Sequence, residues 1–206
     1  MFDRFISLLA PHTCLACGRE GTLLCEWCEP DEIEKLPERC YRCHALSQDS
    51  KVCQRCRRTS PLSHVWIRTQ YADAARELIY ILKFRRVRAA AKVTARLLDE
   101  VVPYLPENTV VTYIPTATSR VRIRGYDQSR LIALEFAGLR RLRCRRLLIR
   151  IGQSRQVRST RAQRAQQAIQ NYLPAVKNIE QEHVLLIDDI LTTGATLESA
   201  AKILKK

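Results

Sequence analysis

Residues 183–201 read HVLLIDDILTTGATLESAA. An apolar run, Val184 to Ile187, leads straight into two acids, Asp188 and Asp189. A turn of Thr192, Thr193, Gly194, Ala195 and Thr196 follows before helical spacing sets in. A short apolar run without polar alternation is the mark of a strand buried on both faces, as in a parallel sheet. The helix that opens after the turn leaves its first backbone N–H groups without intrahelical acceptors, and the positive end of its dipole adds to them, so the turn predicts an anion cradle. Gly194 permits close backbone approach, and Thr192, Thr193 and Thr196 add hydroxyl donors. Two adjacent carboxylates beside such a cradle repel one another unless a cation or a pair of ligand hydroxyls absorbs them. A sugar phosphate satisfies both halves. Taken singly, the same residues read as a helix cap and a solvated strand end.

Working outward, strands alternate with helices. VWIRTQY (65–71) reads as a strand, Asp73 to Lys83 and Ala89 to Tyr104 as helices, and TVVTYIP (109–115) as a strand ended by Pro115. Asp127 to Arg141 is helical, RRLLIR (145–150) a strand, Thr160 to Gln170 helical, and Thr196 to Lys206 the last helix. This alternation predicts an α/β fold with a parallel sheet flanked by helices. Ligands of such sheets bind at the carboxyl ends of the strands, which places the loop after Pro115 and the Asp188–Asp189 turn on one rim.

The first 60 residues differ in kind. Eight of the nine cysteines form four C-x-x-C pairs: Cys14/Cys17, Cys25/Cys28, Cys40/Cys43 and Cys53/Cys56. Each pair aims two sulfurs at one ion, and a tetrahedral zinc needs two pairs, so eight ligands predict two structural Zn2+ sites with no position left for water. The simplest grouping takes consecutive pairs, and a crossed grouping is also compatible with the spacing. A redox role is the competing reading. His12 and His44 lie beside cysteine pairs as bystanders, and Cys144 reads as a half-buried strand cysteine. The serines and Pro61 of RRTSPLSH mark a linker, giving a module over residues 1–60 and a second domain over 61–206.

A hydrophobic content of 46% with 27% charge excludes wholesale disorder. No apolar stretch reaches bilayer length, and MFDRFISLLA carries charge too early for a secretory signal, so a cytoplasmic protein without membrane insertion is expected. Phe2, Phe5, Ile6 and Leu9 stand at helical spacing. The net charge is +14, and Ser119 to Arg164 holds 14 arginines, no lysine and two acids, Asp127 and Glu135. That stretch favours anions: phosphates, a diphosphate or nucleic acid.

The string LLIDDILTTGAT (185–196) resembles the signature of the type I phosphoribosyltransferases, whose ligand is phosphoribosyl pyrophosphate. The resemblance implies that Asp188 and Asp189 hold the ribose hydroxyls, and that Thr192, Thr193, Gly194, Ala195 and Thr196 hold the 5′-phosphate. Three further stretches resemble the ComF family, which joins a double zinc ribbon to a phosphoribosyltransferase domain. They are YIPTATSRVRIRGYDQSRLIA (113–133), YADAARELIYILKFRR (71–86) and QSRQVRSTRAQRAQQAIQNYLP (153–174). Arg120, Arg124, Gly125 and Gln128 align in the first, Tyr71 and Lys83 in the second, Gln156 and Arg164 in the third. Thr116, Ala117, Arg120, Arg124 and Lys83 are then the expected pyrophosphate contacts, with Gln156 and Arg164 on a flexible loop and Mg2+ carried on the ligand's own oxygens. The family has asparagine where this chain has Asp127, and its domains continue into a further strand beyond the position of Lys206, so an incomplete C-terminal edge is expected.

Two functions compete. One is phosphoribosyl transfer to an acceptor that no motif reveals. The other is single-stranded DNA handling with competence or DNA-processing partners, which the family's competence association implies and the arginine field supports. An adaptor that docks a partner through its zinc module is a third.

Overall fold

The computed structural model describes residues 11–151, 171–176 and 183–205. The N-terminal amphipathic stretch, the helix expected over 160–170, and Gln156 and Arg164 lie outside these residues.

Helices α1 (Glu29–Glu32) and α2 (Gln54–Arg57) each begin right after a cluster cysteine, Cys28 and Cys53. Helices α3 (Asp73–Phe84) and α4 (Ala89–Asp99) follow. Leu78, Ile81 and Leu82 of α3 and Ala90, Ala91, Ala95 and Leu97 of α4 recur at the spacing of one helical face, and all are buried in the main core. Next come β1 (Thr109–Tyr113), α5 (Thr118–Arg124), α6 (Gln128–Arg140), β2 (Arg143–Cys144), β3 (Leu148–Arg150), β4 (Tyr172–Pro174), β5 (His183–Ile187) and α7 (Ala195–Leu204). Strands β2, β1 and β5 form a parallel sheet in that order. All five β1 residues are buried, as befits a central strand. Phe136 of α6 joins Val111, Tyr113 and Ile187 in the main core, whereas Ala200 and Leu197 of α7 pack with Ile114, Leu148 and Tyr172 in a separate cluster. The mixed α/β class with helices around a parallel sheet is the class expected.

Two expected strands differ. VWIRTQY forms no strand: Val65 N–H donates to Ser50 C=O at 3.1 Å, Val52 N–H to Ser63 C=O at 2.8 Å, and Leu36 N–H to Arg68 C=O at 3.2 Å. Val65 and Arg68 thus bond to loops of the cysteine-rich module, and Val65 is buried beside Cys40 and Tyr41. RRLLIR forms a strand only over Leu148 to Arg150, which pairs antiparallel with Tyr172 to Pro174 in a second, two-stranded sheet, while the strand that joins the parallel sheet lies just before it, with Cys144 beside Val111. Cys144 is half-buried on β2, and burial pushes its thiol up. Among the described residues β5 is an edge of the parallel sheet, flanking a groove of about 1080 Å³ that Trp66, Ile67, Leu98 and Leu185 help to line. No helix among the described residues is long and apolar enough to cross a membrane.

Candidate functional site

Register brings the expected site together. Tyr113 pairs with Ile187 at the carboxyl ends of β1 and β5, and Ile114 N–H continues the ladder by donating to Ile187 C=O at 2.9 Å. The Thr116 loop and the Asp188–Asp189 turn therefore leave the sheet side by side.

The two acids coexist by different means. Asp188 Oδ1 accepts from Asp189 N–H at 3.0 Å and from Ser129 Oγ at 3.3 Å. Burial, reinforced by the charge of Asp189, pushes its carboxyl up to about 8, so at neutral pH it keeps a proton. Asp189 instead forms an ion pair with Lys83 of α3. Lys83, expected at the diphosphate, thus lies against the acid pair. One proton and one ammonium offset two carboxylates in a site with little water.

Past the acids, Gly194 caps α7 with φ +78°. A Cβ there would lie 2.5 and 2.8 Å from Tyr41 ring carbons, so only glycine fits on both counts. Thr192, Thr193 and Thr196 are exposed around it, leaving the outer face of the turn open. Ala195 N–H donates to Thr193 Oγ1 at 3.4 Å.

Asp127 holds the facing loop. Its Oδ2 accepts from Thr116 N–H at 2.8 Å, and its Oδ1 from Thr116 Oγ1 at 3.0 Å and Arg130 N–H at 3.3 Å, which also caps α6. Both oxygens are engaged, and an asparagine would offer one acceptor in place of two. The loop after Pro115 is shorter than expected, because α5 begins at Thr118 and carries Arg120 on an exposed surface. Arg124 Nη1 donates to Gln128 Oε1 at 2.7 Å, and its guanidinium lies 5.4 Å from the centre of the Phe84 ring.

The eight cysteines gather as Cys14, Cys17, Cys25, Cys28 and as Cys40, Cys43, Cys53, Cys56, the ligand atoms of each set lying within 4.8 Å of one another. The consecutive grouping therefore holds, and the crossed one does not. Sulfur separations of 3.8 Å for Cys17–Cys25 and 3.6 Å for Cys43–Cys53 suit the edge of a tetrahedron whose centre is ~2.3 Å from each sulfur, as for zinc. Burial would raise the Cys14 and Cys40 thiols, but backbone N–H donors of Cys17 and Cys25, and of Cys43 and Cys53, outweigh it and bring both down to about 6. Hydrogen bonding to Cys25 pushes Cys28 up to about 12; burial and Cys53 do the same for Cys56. A thiol set that divides so sharply is one that a divalent cation would deprotonate outright. Both sets contain cysteine alone, so His12 and His44 are bystanders.

Sequence reasoning missed Tyr41, Arg42 and Glu198. Tyr41 hydroxyl donates to Glu198 Oε1 at 2.5 Å, while Arg42 Nε and Nη2 reach Oε1 and Oε2 at 2.6 Å each. Burial opposes ionisation of Glu198, but these donors hold its carboxyl below the usual range. No local pattern announces a contact between residues this far apart in the chain.

A comparison with curated proteins finds no match for the chain. The family model of the phosphoribosyl transferase domain matches residues 135–206, a stretch that runs from within α6 through Asp188, Asp189 and the threonine–glycine turn to α7. The chain thus combines a phosphoribosyltransferase-type α/β segment with two four-cysteine clusters that fit zinc ribbons.

Proposed function

We propose that the chain is a ComF-like protein that binds phosphoribosyl pyrophosphate with Mg2+ and transfers its phosphoribosyl group to a nitrogen acceptor. The observation that carries this reading is the acid pair at the end of β5, running directly into an open threonine–glycine turn at the N-terminus of α7. Asp188 and Asp189 would accept hydrogen bonds from the ribose hydroxyls, with Lys83 free to exchange Asp189 for a diphosphate oxygen. Residues 192–196 would bind the 5′-phosphate through backbone N–H groups and hydroxyls. Thr116, Ala117, Arg120 and Arg124 would receive the diphosphate, arginine matching its paired oxygens. Magnesium, carried on ligand oxygens, would supply further neutralisation of the leaving group. In the reaction the acceptor nitrogen forms a bond to C1 of the ribose, the bond from C1 to the diphosphate oxygen breaks with its electron pair, and the nitrogen gives up its proton. The chain's part is to stabilise the leaving diphosphate and to orient the sugar.

Isothermal titration with phosphoribosyl pyrophosphate and Mg2+ tests the site. Binding should weaken about a hundredfold or more in Asp188→Asn with Asp189→Asn, given the worth of hydrogen bonds to charged groups. Unchanged binding in that double variant rejects the assignment.

One observation favours single-stranded nucleic acid as a second reading. Tyr80 and Phe84 are exposed as a tilted ring pair 5.2 Å apart, Arg124 lies over Phe84, the exposed Arg85 and Arg86 follow α3 directly, and Arg122 is exposed on α5. Aromatic faces set among arginines are what stacked bases and phosphates require. Anisotropy of a labelled single strand should show affinity that falls with salt and drops about tenfold in Phe84→Ala, from the ~1–3 kcal/mol of one stacked base. An absence of affinity at low salt leaves the arginines to phosphate ligands alone.

A further inference from the structure

We infer that Tyr41 and Arg42 are positioning residues for the phosphate turn, so that a metal ion in the second cysteine cluster and a phosphate ligand at residues 192–196 bind with positive coupling. The inference rests on the reading of that turn as a phosphate cradle, and adds to it a means of control.

Tyr41 and Arg42 are the two residues between Cys40 and Cys43. Their backbone belongs to the cluster's own turn, in which Cys40 N–H donates to Ala45 C=O at 2.9 Å and His44 N–H to Cys40 C=O at 2.8 Å. An ion held by Cys40 and Cys43 together with Cys53 and Cys56 fixes that turn from outside. From it two side chains reach the start of α7. The buried Tyr41 ring stands where a side chain on Gly194 would be and closes the inner face of the bend, while its hydroxyl and the Arg42 fork seize Glu198. Glu198 lies in the first turn of α7, and its own N–H donates to Gly194 C=O at 2.9 Å. Unpaired, that carboxylate would oppose an anion at the helix start; the Arg42 guanidinium neutralises it. The grip returns to the same cluster, since Arg42 Nη1 donates to Thr59 Oγ1 at 2.6 Å and Thr59 N–H to Cys56 C=O at 3.2 Å.

The first cluster is docked elsewhere. Glu29, next to Cys28, forms an ion pair with Arg96 of α4. Only the second cluster, among the described residues, places side chains on the phosphate turn. Coupling of this kind is reciprocal: whatever factor the metal adds to phosphate affinity, the phosphate adds to metal affinity.

The test uses the full chain loaded with zinc. Phosphoribosyl pyrophosphate with Mg2+ should slow zinc release to a colorimetric chelator in the wild type, and should not in Tyr41→Ala with Arg42→Ala. That double variant, with all cysteines and its zinc content retained, should bind the sugar diphosphate about tenfold more weakly, a common size for coupling between sites. Amide hydrogen exchange at residues 192–198 should be faster in it. Arg96→Ala, which frees only the first cluster, should change neither. Equal affinity and exchange in wild type and double variant, or an equal loss in Arg96→Ala, overturns the inference. If the double variant does not fold, ligand-independent zinc release in the wild type does so. If the wild type binds no sugar diphosphate, the cradle reading fails instead. Exchange at residues 192–198 before and after zinc removal then decides the positioning, unchanged exchange overturning it.

Discussion

Asp188 carries an unusual pH signature. A carboxyl whose folded value is raised binds its proton more tightly in the native state than in the unfolded chain, so it contributes stability at low pH that is lost as pH rises from the unfolded value of 3.8 through about 8. Glu29 and Glu198, held low by Arg96 and Arg42 against burial, act in the opposite sense, and their contribution is lost only as pH falls below the ordinary carboxylate range. Between pH 5 and 8 (roughly the interval separating those two effects) the free protein should therefore lose stability with rising pH, and Asp188→Asn should flatten the trend. Thermal unfolding at a series of pH values measures it, and an equal slope in wild type and variant would refute the protonated state. That Asp188 and Asp189 need an offset was legible in the sequence, because a buried strand that ends in two adjacent acids carries a repulsion that something must relieve. The partner of Asp189 was not. Lys83 reads locally as a helix-end cation, and only the tertiary fold, which sets the end of α3 against the turn after β5, pairs it with the acid.

At the level of elements, Gly194 joins two constraints that can be separated. Its φ of +78° disfavours any Cβ, and the Tyr41 ring occupies the place one would take. Gly194→Ala should destabilise the fold by about 2 to 4 kcal/mol, the sum of a left-handed backbone penalty and an overpacking penalty. Adding Tyr41→Ala should recover the packing share and leave the backbone share, as urea unfolding of both variants would show. Helices α3, α4, α6 and α7 and strands β1 and β5 follow from apolar periodicity, because each presents one face or one buried run to a core. The stretch 65–71 defeats that reasoning. Val65, Ile67 and their neighbours have strand composition, yet Val65 donates to Ser50 and Arg68 accepts from Leu36 in loops of the cysteine module, and composition does not reveal which partners are near. For the same reason RRLLIR looks like one strand of the parallel sheet, whereas only Leu148 to Arg150 pairs, and in a different sheet.

For the molecule as a whole, the eight cysteines and their simplest grouping were legible, since C-x-x-C spacing is local, but the choice over a crossed grouping needed the fold to place the pairs. Elemental analysis should give two zinc ions per chain, and a strong chelator should abolish protection from hydrogen exchange through residues 11–60, where Leu23, Leu24, Ile33 and Val52 are the few buried aliphatic anchors. Retained protection after complete zinc loss would show a module that stands on its own core. The arginine field could be counted from sequence, but not its division: Arg140 is spent on Asp99 and the carbonyls of the α4–β1 loop, whereas Arg120 and Arg122 face solvent.

The strap of residues 63–68 has a bearing on biosynthesis. Ser50 and Val52 take their backbone partners from Val65 and Ser63, and Leu36 takes its own from Arg68. A nascent chain that has exposed all eight cluster cysteines but still shelters this strap in the ribosomal tunnel lacks the backbone partners that Ser50, Val52 and Leu36 have in the folded protein. Those partners emerge only with Ser63 to Arg68, so a pause in translation just past Cys56 would leave the second cysteine set complete in ligands but without the hydrogen bonds that brace it.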